Sequence, residues 1–209
     1  GETRSPMAGS IRRLGTDAIG LNPAARRSLG AVFVPEERIG HAAVADMTLV
    51  DNSYLTGDTR MNFSHRGLID WPAVTRFTQK VVQNFDVRTT GVDALASSLS
   101  GGNLQKFIVG REILQQPSLL VVSQPTWGVD AGAAAAIHEE IQRLVSAGAA
   151  VLMISQDLDE VFLLSHRIAV ISQGTLSVTT LIDEVSPEDI GLLMGVRHEV
   201  QPKVDHVAA

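Results

Sequence analysis

Leu99-Ser100-Gly101-Gly102-Asn103-Leu104-Gln105-Lys106 is the stretch on which the reading of this 209-residue sequence turns. A hydroxyl and two adjacent glycines stand directly before an apolar-periodic run at Leu104, Phe107 and Ile108, which predicts an amphipathic helix that Pro117 terminates. Glycine lets backbone N–H groups come close to an anion, and a helix N-terminus aims several such donors in one direction. A plain serine-capped helix start would carry the same residues, so the flanking segments have to arbitrate.

On the C-terminal side, the apolar run at 119–122 reads as a strand buried on both faces, and 149–154 as a second buried strand. Between them, 131–146 is alanine-rich and helical, with Gly148 ending it. A short helix over 157–164, a strand over 167–172 and a Gln173-Gly174 turn into 175–179 follow. Strand and helix alternate as in an α/β parallel sheet. Ser186-Pro187-Glu188-Asp189 opens a last helix, and the polar chain beyond Gly195 is expected to fray.

On the N-terminal side, residues 49–98 read as helical. Asp70 caps a helix with Pro72 in its first turn, and Val74, Phe77, Val81 and Phe85 form one apolar stripe. Phe77 and Phe85 are therefore core rather than a stacking platform. Val32-Phe33-Val34 is a short strand stopped by Pro35; Asn22-Pro23 starts a turn or helix around Arg26-Arg27, read as a solvated basic pair.

Composition bounds the function. Hydrophobic residues are 44% of the chain and charged ones 19%, enough for a packed core. The net charge of −6 argues against a nucleic-acid partner. The absence of cysteine removes thiol catalysis and thiolate-bound zinc. The six histidines are scattered without metal-ligand spacing, so no metal site is expected, and Glu139-Glu140 and Asp157, Asp159 and Glu160 read as solvated helix faces or starts. No apolar run reaches the roughly 18 residues of a membrane-spanning helix.

Taken in order, five segments resemble the ATP-binding-cassette (ABC) ATPases, a P-loop NTPase-type, RecA-like fold. Residues 99–106 are similar to the family's signature motif, and Leu119 to Thr126 to its Walker B strand and the following turn. Gly128-Val129-Asp130 resembles the D-loop, 151–160 the switch strand and segment, and Phe33-Val34-Pro35-Glu36-Glu37-Arg38 the Q-loop. The likeness runs from about Gly9 to Thr179. The Asn-Leu-Gln-Lys continuation and the Pro-Glu-Glu-Arg segment look most like the C-terminal cassette of tandem importer ATPases for simple sugars and nucleosides. The resemblance implies a remainder of the N-terminal β region with the Q-loop at 1–48 and an inserted α-helical subdomain at 49–102. An α/β core at 103–185 and a C-terminal helix and tail at 186–209 complete the implied division.

The sequence departs from the family where chemistry is concentrated. No Gly-x-x-x-x-Gly-Lys-[Ser/Thr] phosphate loop occurs, which the resemblance places before residue 1, so an N-terminally truncated cassette is expected. Ser123 stands in the place of the Mg²⁺-supporting Asp, Gln124 in that of the water-polarising Glu, Gln156 in that of the switch His, and Glu36 in that of the Q-loop Gln. An amide orients water but takes no proton, and a hydroxyl is a poorer partner than a carboxylate for a hard dication.

These degenerate positions beside an intact signature suggest that Ser100, Gly101, Gly102, Asn103 and Gln105 serve ATP held by a partner cassette. Trp127 and Asp130 are the expected interface residues. ATP and Mg²⁺ in the full assembly and a membrane permease as partner follow from the resemblance, as does a peripheral place on the cytoplasmic face of the membrane. A non-transport ABC ATPase and a regulatory, non-hydrolysing interaction domain are the alternatives.

Overall fold

The computed structural model describes residues 9–13 and 15–195, and the chain divides after Gln156 into two compact units. In the first unit a small hairpin, β1 (Arg12–Arg13) and β2 (Thr16–Asp17), leads to α1 (Pro23–Ser28) and β3 (Ala31–Val34). Asn22 caps α1 through the Ala25 N–H at 2.8 Å, as its Asn-Pro start predicts. Helix α2 (Leu49–Met61) opens on a reciprocal capping box between Thr48 and Asp51. A two-stranded hairpin, β4 (Ser64–His65) and β5 (Leu68–Ile69), lies within the stretch whose pattern reads as helical, ahead of the helix start expected at Asp70. It delivers the chain to α3 (Trp71–Asn84), where Asp70 accepts the Ala73 N–H at 2.9 Å and Pro72 lies in the first turn.

Val74, Phe77, Val81 and Phe85 are all buried, with Phe77 packed edge-on against Phe63 at a centroid distance of 5.6 Å. A 3₁₀ turn at Ala96–Ser98 then leads into α4 (Gly101–Ile113). That helix starts three residues earlier than Leu104, so both glycines belong to its first turn. It is not amphipathic as the sequence suggests, since every residue from Leu104 to Ile113 is buried, including Gln105, Lys106, Arg111 and Glu112.

Strands β3, β6 (Leu119–Ser123) and β7 (Ala150–Ile154) form a parallel sheet in that spatial order, with α5 (Ala131–Ser146) as the crossover between β6 and β7. The register places Val32, Leu120 and Val151 on one face and Phe33, Val121 and Leu152 on the other. The first face is the core. On the second, Leu152 is 56% and Ile154 50% exposed. The expectation that both strands are buried on both faces is therefore corrected. β3 and β7 are the two edge strands of this sheet among the described residues, and only one sheet face is thoroughly covered.

A polar cluster ties α1, α2 and α4 together. Glu112 accepts from Arg27 Nη1 at 2.7 Å and from Arg111 Nε at 3.0 Å; Arg111 also donates to the Asn52 and Ala42 carbonyls at 3.0 and 2.8 Å. Arg27 is thus not the solvated residue the sequence suggests: its partner's carboxylate lies in the interior and draws it inward. Arg26 donates its Nε to the Leu21 carbonyl at 3.0 Å.

The second unit contains α6 (Leu158–Leu164), β8 (Arg167–Ile168), β9 (Ile171–Ser172), β10 (Thr175–Leu176), β11 (Thr180–Leu181) and α7 (Pro187–Gly195). The expected strand over 167–172 is broken in two, β8 pairing with β11 and β9 with β10, both antiparallel. Gln173 and Gly174, at φ +49° and +78°, make the β9–β10 turn, the double positive φ that a tight hairpin requires. Asp157 caps α6, and Glu160 in its first turn is buried, not on a solvated face. Ser186 and Asp189 close a capping box on α7, which holds the Asp189 carboxyl below its ordinary range. The expected fraying beyond Gly195 lies outside the described residues.

No helix among the described residues is long and apolar enough to cross a membrane.

Candidate functional site: the N-terminus of α4 and the turns beside it

Ser100 takes the extended N-cap conformation, yet makes no side-chain capping bond to its own helix. Its Oγ accepts instead from Asn103 Nδ2 at 2.9 Å, and Asn103 Oδ1 accepts the Arg88 N–H at 2.9 Å. Helices α1, α2, α3, α5 and α6 all have an N-cap side chain that accepts from the first turn. In α4 the first-turn N–H groups are left to other acceptors, at the end of the helix that carries roughly half a positive charge. Ser100 and Gly101 are exposed, Gly102 and Asn103 half-buried. An anion approaching from outside meets this tip directly.

Both glycines also have a packing reason. A methyl at Gly101 would lie 2.8 Å from Arg38 Nη1, and one at Gly102 would lie 3.1 Å from the Gly128 carbonyl oxygen. The tip therefore rests on the segment after β3 and on the turn after β6. Arg38 joins the three parts. Its Nε donates to Gln105 Oε1 at 3.0 Å and its Nη2 to the Trp127 carbonyl. Gln105, 2% exposed, donates its amide to the Gln124 and Pro125 carbonyls at 3.2 and 2.9 Å. The amide of Gln105 is consumed inside the protein, so the structure removes this residue from the expected nucleotide-facing set. Its side chain braces the tip from behind.

The turn after β6 is held by its own backbone. Gln124 sits at φ +51° and donates its N–H to the Ile154 carbonyl at 2.8 Å; Trp127 N–H donates to the Gln124 carbonyl at 3.2 Å. Gly128, at φ +70°, completes the reversal. Gln124 is buried and Ser123 half-buried, whereas Gln156 and Glu36 are exposed. Trp127 is 64% exposed, and it lines a cleft with Glu36, Glu37 and Arg38. Asp130 accepts the Ala133 N–H at 3.0 Å as the N-cap of α5, and that bond holds its carboxyl below the usual range.

The donor set fits a phosphate better than it fits a metal. The tip of α4 offers backbone N–H groups without a side-chain competitor. Ser123, Gln124 and Gln156 offer a hydroxyl and two amides, none of which takes a proton from water or neutralises a dication. Among the described residues no cluster of histidine and carboxylate side chains is arranged to hold a metal ion. Of the residues singled out in the sequence, the fold gathers Ser100, Gly101, Gly102, Asn103, Glu36 and Trp127 around one surface region. Arg38 was missed there: its role depends on partners 67 and 89 residues away, which no local pattern shows.

The architecture is that of an ATP-binding cassette. A dimeric post-hydrolysis state of the cassette MJ0796 bound to ADP and phosphate matches with a TM-score of 0.71 at 16% identity, over 86% of this chain and 75% of that one. A nucleotide-free cassette from an ABC transporter matches at 0.68 and 19% identity, over 92% and 79%. By sequence the chain is a relative of sugar and nucleoside import ATP-binding proteins. It is 37% identical to the nucleoside import ATP-binding protein NupA of Lactococcus lactis over 187 residues, 90% of this chain and 37% of that one. It is 36% identical to a glucose import ATP-binding protein of Haloferax volcanii over 193 residues, 91% and 35% respectively. With the guanosine import ATP-binding protein NupO of Bacillus subtilis the identity is 34% over 191 residues, 91% and 38%. The chain thus spans a little over a third of the length of the curated relatives it matches. No family model matches the sequence.

Proposed function

We propose that this chain is cassette material of an import ATPase for simple sugars or nucleosides, and that it acts by lending the tip of α4 to ATP held by a partner cassette. Ser100, Gly101 and Gly102 supply the hydroxyl and backbone N–H groups that meet the phosphates, with Asn103 setting the serine hydroxyl. Trp127 and Asp130 face the partner. The site built from Ser123, Gln124, Gln156 and Glu36 is hydrolytically slow or silent, since it lacks a general base and a carboxylate suited to Mg²⁺. The full assembly uses ATP and Mg²⁺ and works with a membrane permease at the cytoplasmic face of the membrane.

One observation carries the reading: an exposed helix start, framed by glycines, whose N-cap serine leaves the first-turn donors uncapped. Ser100→Arg in the full-length protein is expected to abolish ATP hydrolysis by blocking the tip. Gln124→Ala is expected to leave the rate within about threefold of the parent, since an amide contributes no proton transfer there. The reverse ranking would refute the asymmetric scheme.

A further inference from the structure

We propose that Arg38 is a positioning residue: its guanidinium fixes the tip of α4 against the turn after β6, an assignment that rests on the trans role of that tip. Three observations meet on this side chain. Its Nε holds Gln105 Oε1 at 3.0 Å, one helical turn below Gly101, and its Nη2 holds the Trp127 carbonyl. Its Nη1 lies where a methyl at Gly101 would approach to 2.8 Å, and Nη2 where a methyl at Gly128 would approach to 3.0 Å. Gln105, so fixed, hands its own amide protons to the Gln124 and Pro125 carbonyls.

The planar fork of a guanidinium matters here. Nε and Nη2 point to different partners at a fixed angle, which a single ammonium cannot reproduce. Removing the fork frees Gln105 Oε1, loosens the Trp127 carbonyl and opens space beside Gly101. The α4 tip then loses its registration with the exposed Trp127 turn without losing any group that itself meets a phosphate. Arg38 is half-buried and its partners are polar, so the core is not breached. Its effect is therefore on placement, to which a transition state is more sensitive than ground-state binding.

The test uses the full-length protein with Arg38→Ala, Arg38→Lys and Ser100→Arg assayed side by side for ATP hydrolysis. Both Arg38 variants are expected to lower kcat by about 10- to 100-fold while the KM for ATP stays within about threefold. Their melting temperatures are expected to stay within about 2 °C of the parent. In a background where every tryptophan other than Trp127 is replaced by phenylalanine, Trp71 among them, both variants should raise the accessibility of Trp127 to a soluble quencher. Parental kcat in Arg38→Lys, or a kcat loss matched by a loss of melting temperature, overturns the positioning role. So does unchanged quenching of Trp127. If Ser100→Arg abolishes hydrolysis and the Arg38 variants do not lower it, the trans role stands and this assignment falls. If Ser100→Arg hydrolyses normally, the trans role itself falls.

Discussion

Glu112→Gln removes one interior charge and almost no volume, which makes it a clean probe of the polar cluster joining α1, α2 and α4. The carboxylate is fully buried and accepts from Arg27 Nη1 at 2.7 Å, Arg111 Nε at 3.0 Å and Gln115 Nε2 at 3.2 Å. A glutamine amide keeps one acceptor oxygen and turns its other end into a donor, so one arginine faces N–H against N–H. Arg27 is 17% exposed and can swing to water, whereas Arg111 at 2% cannot. Breaking a buried pair in this way typically costs about 3–5 kcal/mol. With Arg27 able to recover some hydration, the lower end, about 3 kcal/mol, is expected. At a urea dependence of about 2–3 kcal/mol per molar, the midpoint moves down by roughly 1–1.5 M.

Both tryptophans, Trp71 and Trp127, lie in the first unit, so a urea melt followed by their emission reports on the unit that contains the cluster. The control is Arg143→Ala, whose pairs with Glu139 and Glu140 are on an exposed helix face and are worth at most about 1 kcal/mol. A Glu112→Gln shift no larger than that of the control would refute the reasoning. The pH dependence adds a second check. Burial pushes the Glu112 carboxyl up, but the Arg111 and Arg27 guanidiniums outweigh it and hold it below its ordinary value. Its contribution is therefore fully present above the unfolded value of about 4.3 and is lost as pH falls through the folded value. The parent should lose more stability than the variant on acidification through that window.

Asn52→Ala is expected to destabilise by about 2–3 kcal/mol in the same melt. The side chain donates to the Val44, Met47 and Thr48 carbonyls and accepts the Val44 N–H, and a loss under about 0.5 kcal/mol would mean these groups find water instead. Gly110→Ala would bring a methyl to 2.5 Å from the Phe85 ring, so a cost of about 1–3 kcal/mol by overpacking is expected, and calorimetry showing no fall in melting temperature would contradict it. Leu152→Gln sits on the uncovered sheet face and should change stability by no more than about 0.5 kcal/mol. A large loss in a denaturant melt would show that this face is covered in solution.

What the residues alone determined was whatever depends on near neighbours in the chain. Asp70 with Pro72, Ser186 with Asp189, and Gln173 with Gly174 each specify a cap or a turn through atoms a few residues apart, and each formed as read. The apolar runs at β6 and β7 and the intervening helix fixed the strand–helix–strand order, and the glycine-framed start of α4 was legible because its donors belong to consecutive residues. Tertiary structure decided the rest. Whether both faces of β7 are covered depends on what packs over each face of the sheet, and a run of apolar residues reads the same on a covered face as on an open one. Arg27 reads as a surface cation until Glu112, 85 residues on, is brought against it in the interior. Gln105 reads as part of a nucleotide-facing motif until Arg38 and the Gln124 and Pro125 carbonyls consume its amide. A long polar side chain can serve solvent, ligand or core equally well; burial and the partners the fold supplies make the choice, because an unpaired polar group in the interior is too costly to leave.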